Sequence, residues 1–241
     1  MPSPLAFYRW SELDRATYPE LRDRVLSFEE EGFVPEHRSY PGYRQFPLGR
    51  ARPRLLAPID KVLQGRRCAR SLEARLPPRR ALGHILRFAH GITGKDGRGP
   101  VPSSGGLQPL ELYIVNFCSA WVPAGLYHYD RSGHHLSQIR SGADGGRWHD
   151  LVPSMELVSG GAILWVVAGD GERVERKYGE RGYRFLLFEA GHLMQNLCLL
   201  STSFGLVTVP LGGFFEREVA AELILPPSDL VLYLGVCGKA T

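Results

Sequence analysis

The segment from Tyr183 to Phe204 constrains this chain more than any other. Its apolar residues Leu186, Leu187, Ala190, Leu193, Met194, Leu197 and Leu200 recur at three- and four-residue steps, so it reads as a largely buried helix stopped by Gly205. A helix of that kind forms the spine of a core. It also carries His192, Gln195 and Asn196. Buried polar groups cost free energy unless hydrogen-bonded, so these side chains are expected to meet partners in the protein or in a ligand. Just upstream, Lys177-Tyr178-Gly179-Glu180-Arg181-Gly182-Tyr183-Arg184 crowds titratable groups against the start of the helix.

At 241 residues the chain has room for one substantial core or two small ones, and one is the simpler expectation. Its cysteines, Cys68, Cys118, Cys198 and Cys237, are far apart and form no C-x-x-C pair. That argues against a zinc ribbon or a disulfide framework and for a reducing cytoplasm. The stretch from Met1 to Trp10 has no basic region followed by an apolar run, so no secretory signal is expected. No segment is expected to span a membrane, because Arg184, Glu189 and His192 interrupt the long helix and the apolar run from Ala162 to Ala168 is too short. The net charge of +4 is unevenly placed: between Arg44 and Arg80 only Asp60 and Glu73 oppose a crowd of basic residues. No zinc finger, helix-turn-helix or aromatic-rich RNA-binding pattern accompanies them, so the expected anion is a bound phosphate group and not nucleic acid.

Residues 1–58 read as an N-terminal extension, helical from about Ser11 to Glu31 and then rich in Pro and Arg, packing on the main body or on a partner subunit. From Ile59 to residue 241 the pattern is that of one α+β domain. A short helix carrying Arg66, Arg67 and Arg70 is expected, then a second helix from near Pro78 with Leu82, Ile85, Leu86 and Ala89 on one face and Gly91 at its end. Strands are expected over Leu110–Phe117, Gly125–Asp130, Ala162–Ala168, Leu206–Val209 and Leu230–Val236, with a helix from about Glu216 to Leu223. The absence of a regular βαβ repeat points to a sheet covered by helices.

Three groupings invite chemistry. Arg66-Arg67-Cys68-Ala69-Arg70 would put guanidinium groups on one helical face, where like charges repel unless a dianion sits among them; the alternative is a solvated basic face. Pro102-Ser103-Ser104-Gly105-Gly106 runs directly into a strand, and its glycines would let a flat ligand approach the backbone, although alone it reads equally as a turn. It has neither a Walker lysine nor the dinucleotide glycine order. His128, His134, His135 and His149 have no zinc spacing and are expected to be exposed loop residues, so no metal is assigned. No G-x-S-x-G elbow supports a serine hydrolase.

Taken in order, six elements resemble the nitroreductase family of FMN-dependent oxidoreductases, and more closely its SagB-type branch, which includes the thiazole/oxazole dehydrogenases of modified-peptide biosynthesis. They are Arg66–Arg70, Pro102–Glu111, Gly125–Tyr129, Lys177–Arg184, Gly191–Leu197 and Gly205–Gly213. The resemblance implies a nitroreductase-like fold, with a central, mostly antiparallel sheet flanked by helices, and a homodimer with FMN at the subunit interface. It assigns the FMN phosphate to Arg66, Arg67 and Arg70 with help from Lys239, and the ring or ribityl chain to the Pro102-Ser103-Ser104-Gly105 loop, Gln195, Gly212 and Gly213. Cys68 stands where the family usually has serine, which removes a hydroxyl donor from one cofactor contact.

In azole-forming members a Lys-Tyr pair is associated with removal of the ring proton, and Lys177 and Tyr178 occupy that motif here. The implied reaction is two-electron oxidation of a thiazoline or oxazoline in a peptide-like substrate. A basic Lys177 would need burial or neighbouring cations to favour its neutral form, and Arg176, Arg181 and Arg184 are close in sequence. Two rival readings share the same flavin: an NAD(P)H-dependent reductase of nitroaromatics, quinones or activated alkenes, and a flavin-containing subunit of a modification complex with cyclodehydratase-type partner proteins.

Overall fold

The computed structural model describes residues 6–49 and 57–241 of the chain. Along them run α1 (Ala6–Trp10), α2 (Tyr18–Glu30), β1 (Gln45–Pro47), α3 (Ile59–Gly65), β2 (Ser71–Glu73), α4 (Arg79–Ala89), β3 (Leu110–Asn116), β4 (Gly125–Asp130), β5 (His135–Ser141) and α5 (Gly145–Leu151). They continue with β6 (Ser159–Gly160), β7 (Ile163–Asp170), α6 (Gly171–Tyr178), α7 (Gly182–Ser203), β8 (Val207–Leu211), α8 (Glu216–Leu223) and β9 (Asp229–Ala240). The strands form one nine-stranded sheet in the order β1-β5-β4-β3-β7-β9-β2-β6, with β8 also paired to β9. Every ladder is antiparallel except β2–β6. This is the α+β sheet covered by helices that the pattern of elements leads one to expect, and its largely antiparallel order is the one that the family resemblance implies.

The centre of the sheet explains why β3 and β7 are apolar throughout rather than alternating: both faces are covered. From β7, Ile163, Trp165 and Val167 face the core built with α4 and α7, while Leu164, Val166 and Ala168 face the core built with α5 and α8. Each fully buried large side chain contributes about 1.5–3 kcal/mol to the fold.

α7 is the spine of the first core. Leu186, Ala190, Leu193, Met194, Leu197 and Cys198 are buried, and Gly205, at φ +70°, ends the helix in the left-handed conformation that glycine tolerates. The opposite side of α7 is not buried. Phe188 is 56% exposed, Leu187 37%, and His192 and Gln195 are exposed. The expectation that His192 and Gln195 lie in the interior is therefore corrected for the single chain; of the three polar residues, Asn196 alone is seen with a bonded partner, donating to Ala89 O at 3.3 Å.

The N-terminal residues lie over the domain. α2 packs on α6, Arg184 donates to Tyr8 O at 2.8 Å, and Arg38 pairs with Asp229 at 2.5 Å and donates to Tyr113 Oη at 3.0 Å. His128 sits under this cover, fully buried and 2.8 Å from Glu111 Oε2. That corrects the expectation of an exposed loop histidine: the residue lies on β4, whose two faces are both packed. His149, in contrast, is exposed. No helix among the described residues is long and apolar enough to cross a membrane.

Candidate active site

The glycine-serine loop is held from several sides. Ser103 Oγ accepts from Gln108 N at 2.8 Å, and Ser104–Gly106 makes a single tight turn in which Gly105 adopts φ +57°. Arg173 Nη1 donates to Gln108 O at 3.1 Å and Arg131 Nη2 to Gln108 Oε1 at 2.9 Å. From α7, Glu189 Oε1 accepts from Ser104 N at 2.7 Å. Glu189 is 3% exposed, and burial pushes its carboxyl above the usual carboxylate range against the bonds from Ser104 and Ser103.

Gly105 faces Lys177 and Tyr178. A Cβ at this position would lie 2.6 Å from Lys177 Nζ and would also collide with Tyr178 Oη, and at φ +57° glycine takes this backbone conformation without the strain a side chain brings. Lys177 and Tyr178 end α6, whose N-terminus is capped by Asp170 accepting from Arg173 N at 3.0 Å. Lys177 is 4% exposed, and its Nζ donates to Glu29 Oε1 of α2 at 3.1 Å, beneath the Phe28 ring at 5.4 Å. Tyr178 packs edge-on to Phe185 at 4.8 Å. Burial raises its phenol above the ordinary value, and Glu29 and Glu189 add to the effect, so Tyr178 stays protonated.

The neighbouring arginines do not do what their sequence position suggests. Arg176 pairs with Glu31 at 2.9 Å, Arg181 donates to Ser11 O at 2.8 Å, and Arg184 turns to Tyr8 and Ser11. The charge seen at Lys177 is a carboxylate, not a second cation.

The basic motif is also built differently from the expectation. α3 stops at Gly65, and Arg66 is already extended at φ −61°, ψ 117°. The chain straightens because Arg70 O accepts from Ser159 N at 2.9 Å and residues 71–73 join the sheet between β6 and β9. Arg66, Arg67 and Arg70 thus lie on a connecting segment, not on one helical face. Arg67 and Arg70 are exposed, Arg66 is half-buried, and among the described residues none of the three has a carboxylate partner. Cys68 is exposed, 3.9 Å from Arg66 Nη1. The β2–β9 ladder sets Glu73 opposite Lys239, and the two side chains pair at 3.2 Å, so Lys239 ends at the same sheet edge.

α3 meets the C-terminal part of α7, where a Cβ on Gly65 would touch Thr202 at 3.5 Å. Burial pushes the Cys198 thiol up to about 11, with Arg66 opposing it. Ser104 meets α7 at Glu189, so at 1.5 Å per residue the loop and the arginine segment sit roughly 20 Å apart along this helix. Gln195 is exposed between them. Gly212 and Gly213, also exposed, follow the far end of β8, where Gly213 O accepts from Ser154 Oγ at 2.8 Å. One chain therefore brings Gly105 together with Lys177 and Tyr178, while the segment carrying Arg66 and Arg70 leads into β2, whose Glu73 pairs with Lys239.

Glu189 and Glu29 escaped sequence reasoning. Glu189 carried a signal: it falls three residues after Leu186 and four before Leu193, on the stripe of α7 that faces the core, and a carboxylate there must have a partner. Glu29 carried none, being one of three consecutive glutamates at the end of a polar helix. No group of three or more His, Cys, Asp or Glu among the described residues is arranged to hold a metal ion.

A family description, "Nitroreductase family", matches residues 63–239. The chain belongs to the nitroreductase family. Among nitroreductase relatives it is 33% identical over 174 residues to MJ1384 of Methanocaldococcus jannaschii, a protein named as a nitroreductase, covering 72% of this chain and 88% of that one. It is 28% identical over 143 residues to the microcin B17-processing protein McbC of Escherichia coli and 29% identical over 141 residues to the trifolitoxin-processing protein TfxB of Rhizobium leguminosarum bv. trifolii. Those matches cover 53% and 56% of this chain but only 49% and 38% of the two processing proteins.

Among solved structures, a nitroreductase-type protein from Anabaena variabilis superposes with a TM-score of 0.75 at 24% identity, covering 86% of this chain and 44% of that one. The E. coli microcin synthetase McbBCD complex with truncated pro-MccB17 bound gives 0.60 at 23%, covering 67% and 64%. An Exiguobacterium sibiricum structure in complex with FMN gives 0.56 at 15%, covering 77% and 89%. At these identities the likeness is one of fold. FMN is the cofactor of the family.

Proposed function

We propose that this nitroreductase-family oxidoreductase binds FMN between two copies of the chain and carries out the two-electron dehydrogenation of a thiazoline or oxazoline in a peptide-like substrate. The observation that carries the reading is the meeting of Lys177, Tyr178 and Gly105: a buried amine and a phenol set directly against the backbone of the glycine-serine loop. When bound, FMN supplies the two-electron acceptor.

The residues present suit that group. Arg66, Arg67 and Arg70 have no carboxylate partner among the described residues, and forked guanidinium donors match phosphate oxygens, with Lys239 at the same edge. Cys68 contributes only a weak donor where the family has serine. The Pro102-Ser103-Ser104-Gly105 loop, Gln195, Gly212 and Gly213 would border the ring and ribityl chain. The separation of the glycine-serine loop and the arginine segment along α7 favours a homodimer in which the loop of one copy approaches the arginines of the other, the exposed Leu187–Phe188 side of α7 forming the contact.

Within the site Gly105 excludes bulk from the face of the loop, Glu189 fixes the loop to α7, and Lys177 and Tyr178 stand ready to hold or move the proton lost by the substrate. The similarity to McbC and TfxB supports a peptide-derived substrate and, with the McbBCD assembly, cyclodehydratase-type partner proteins. The test is Lys177→Ala: flavin content stays at the native level while oxidation of a thiazoline-containing peptide stops. Full turnover by this variant overturns the assignment.

The second reading, an NAD(P)H-dependent reductase, is favoured by the higher identity to MJ1384, a protein named as a nitroreductase. Rapid bleaching of the bound flavin by NAD(P)H in the absence of any thiazoline distinguishes it.

A further inference from the structure

We propose that Glu29 of α2 is a positioning and proton-relay residue, linking the buried Lys177 amine to bulk water. The inference rests on the role given above to Lys177 and adds the residue through which that amine exchanges protons.

Three observations carry it. First, the side chain of Lys177 is 5% exposed while that of Glu29 is 59% exposed, yet Nζ and Oε1 are 3.1 Å apart. Water therefore reaches the carboxylate far more readily than the amine. Second, Glu29 is held in place by its neighbour: Phe28 is buried in the main core, 5.1 Å from the Phe33 ring, and covers Lys177 Nζ at 5.4 Å. Third, the other charged groups around the pair are committed elsewhere. Arg176 pairs with Glu31, Arg24 lies over Gly179 and within 3.5 Å of Glu20, and Glu189 accepts from Ser104 N across the loop, with Arg131 acting on it.

The proton count closes. Lys177 and Glu29 share one exchangeable proton, held as ammonium and carboxylate or as amine and carboxylic acid. With the proton on Glu29, the Lys177 amine takes one of the two hydrogens an azoline loses, as a proton whose bonding pair stays in the ring as the new double bond, while bound FMN would supply the acceptor for the other, lost as hydride. Glu29 then gives its own proton to water, and the starting pair is restored. Without a titratable group at position 29 the amine loses the carboxylate that lies within hydrogen-bond distance and reaches solvent.

The experiment compares the full-length, flavin-loaded native protein with E29Q, E29D and K177M. Glutamine keeps an acceptor for Lys177 Nζ but takes no proton at neutral pH. The first readout needs no substrate: reductive methylation of Lys177 by formaldehyde and borohydride, followed by mass spectrometry across pH. Loss of the carboxylate moves this methylation to lower pH in E29Q, and E29D restores the native profile. The second readout is turnover of a synthetic thiazoline peptide with oxygen as acceptor, where kcat falls about tenfold or more in E29Q with KM and flavin content unchanged, and added imidazole restores part of the rate. A native methylation profile in E29Q overturns the relay whatever the turnover. Full activity in K177M overturns instead the role of Lys177 itself. An inactive K177M beside a fully active E29Q sinks the relay alone.

Discussion

Ser104 N donates to Glu189 Oε1 at 2.7 Å, which fastens the glycine-serine loop to a carboxylate buried on the core side of α7. Because Glu189 titrates above the ordinary carboxylate value, the folded protein holds its proton more tightly than the unfolded chain does. Stability attached to this group is present at low pH and is lost as pH rises from the unfolded value of 4.5 through the higher folded one. E189Q keeps an acceptor for Ser104 N without the charge, so its Tm relative to native rises across that window; a pH series of thermal melts measures the difference. E189A leaves the Ser104 amide without its acceptor and costs about 1–3 kcal/mol by denaturant titration.

Gly105→Ala places a methyl group against Lys177 Nζ in a residue at φ +57°. The backbone penalty is about 1–2 kcal/mol, and relief requires the loop or Lys177 to move. The expected outcome is a folded protein with a lowered Tm and impaired thiazoline turnover, read by calorimetry and steady-state kinetics.

Arg70→Ala removes an exposed guanidinium that has no carboxylate partner among the described residues, so the fold should be unaffected. Its loss weakens FMN binding by roughly 10- to 100-fold if it holds the phosphate. Fluorescence titrations at two ionic strengths check this, with a smaller salt dependence in the variant.

Phe188→Asp puts a charge on the exposed side of α7, where Phe188 is 56% exposed in the single chain. If that side joins two copies, the variant elutes as a monomer on size-exclusion chromatography and loses flavin along with the dimer. A dimer retaining flavin removes α7 from the interface.

His134 and His90 govern the acid side. Burial lowers His134 to about 4 and His90 well below its ordinary 6.5, so both are neutral in the fold while the unfolded chain protonates first. The stability attached to these two histidines is complete above about pH 6.5 and falls with pH below it. His134→Gln flattens that decline, as acid titration followed by circular dichroism would show.

Much of the fold was legible because its signals are local. The three- and four-residue spacing of Leu186, Ala190, Leu193 and Leu197, the continuous apolar run of β7 and the terminating Gly205 each report on neighbours in the chain. The helix Glu216–Leu223 lies where its sequence placed it. The arginine motif misled because its five residues are compatible with a helix, whereas Ser159 and β9, distant in sequence, draw them into an extended segment.

What the sequence by itself determined is α4, α7, α8, the strands β3, β4, β7, β8 and β9 to within a few residues, and the family to which the chain belongs, since periodicity, turn residues and short motifs act within a few residues. Only the tertiary structure decided that Lys177 meets Glu29, 148 residues away, that Glu189 secures Ser104, and that the arginines and the glycine-serine loop lie at different places along α7. Contacts of that range depend on how whole helices pack across the sheet, and no local pattern of residue types fixes which side chains such packing will bring together.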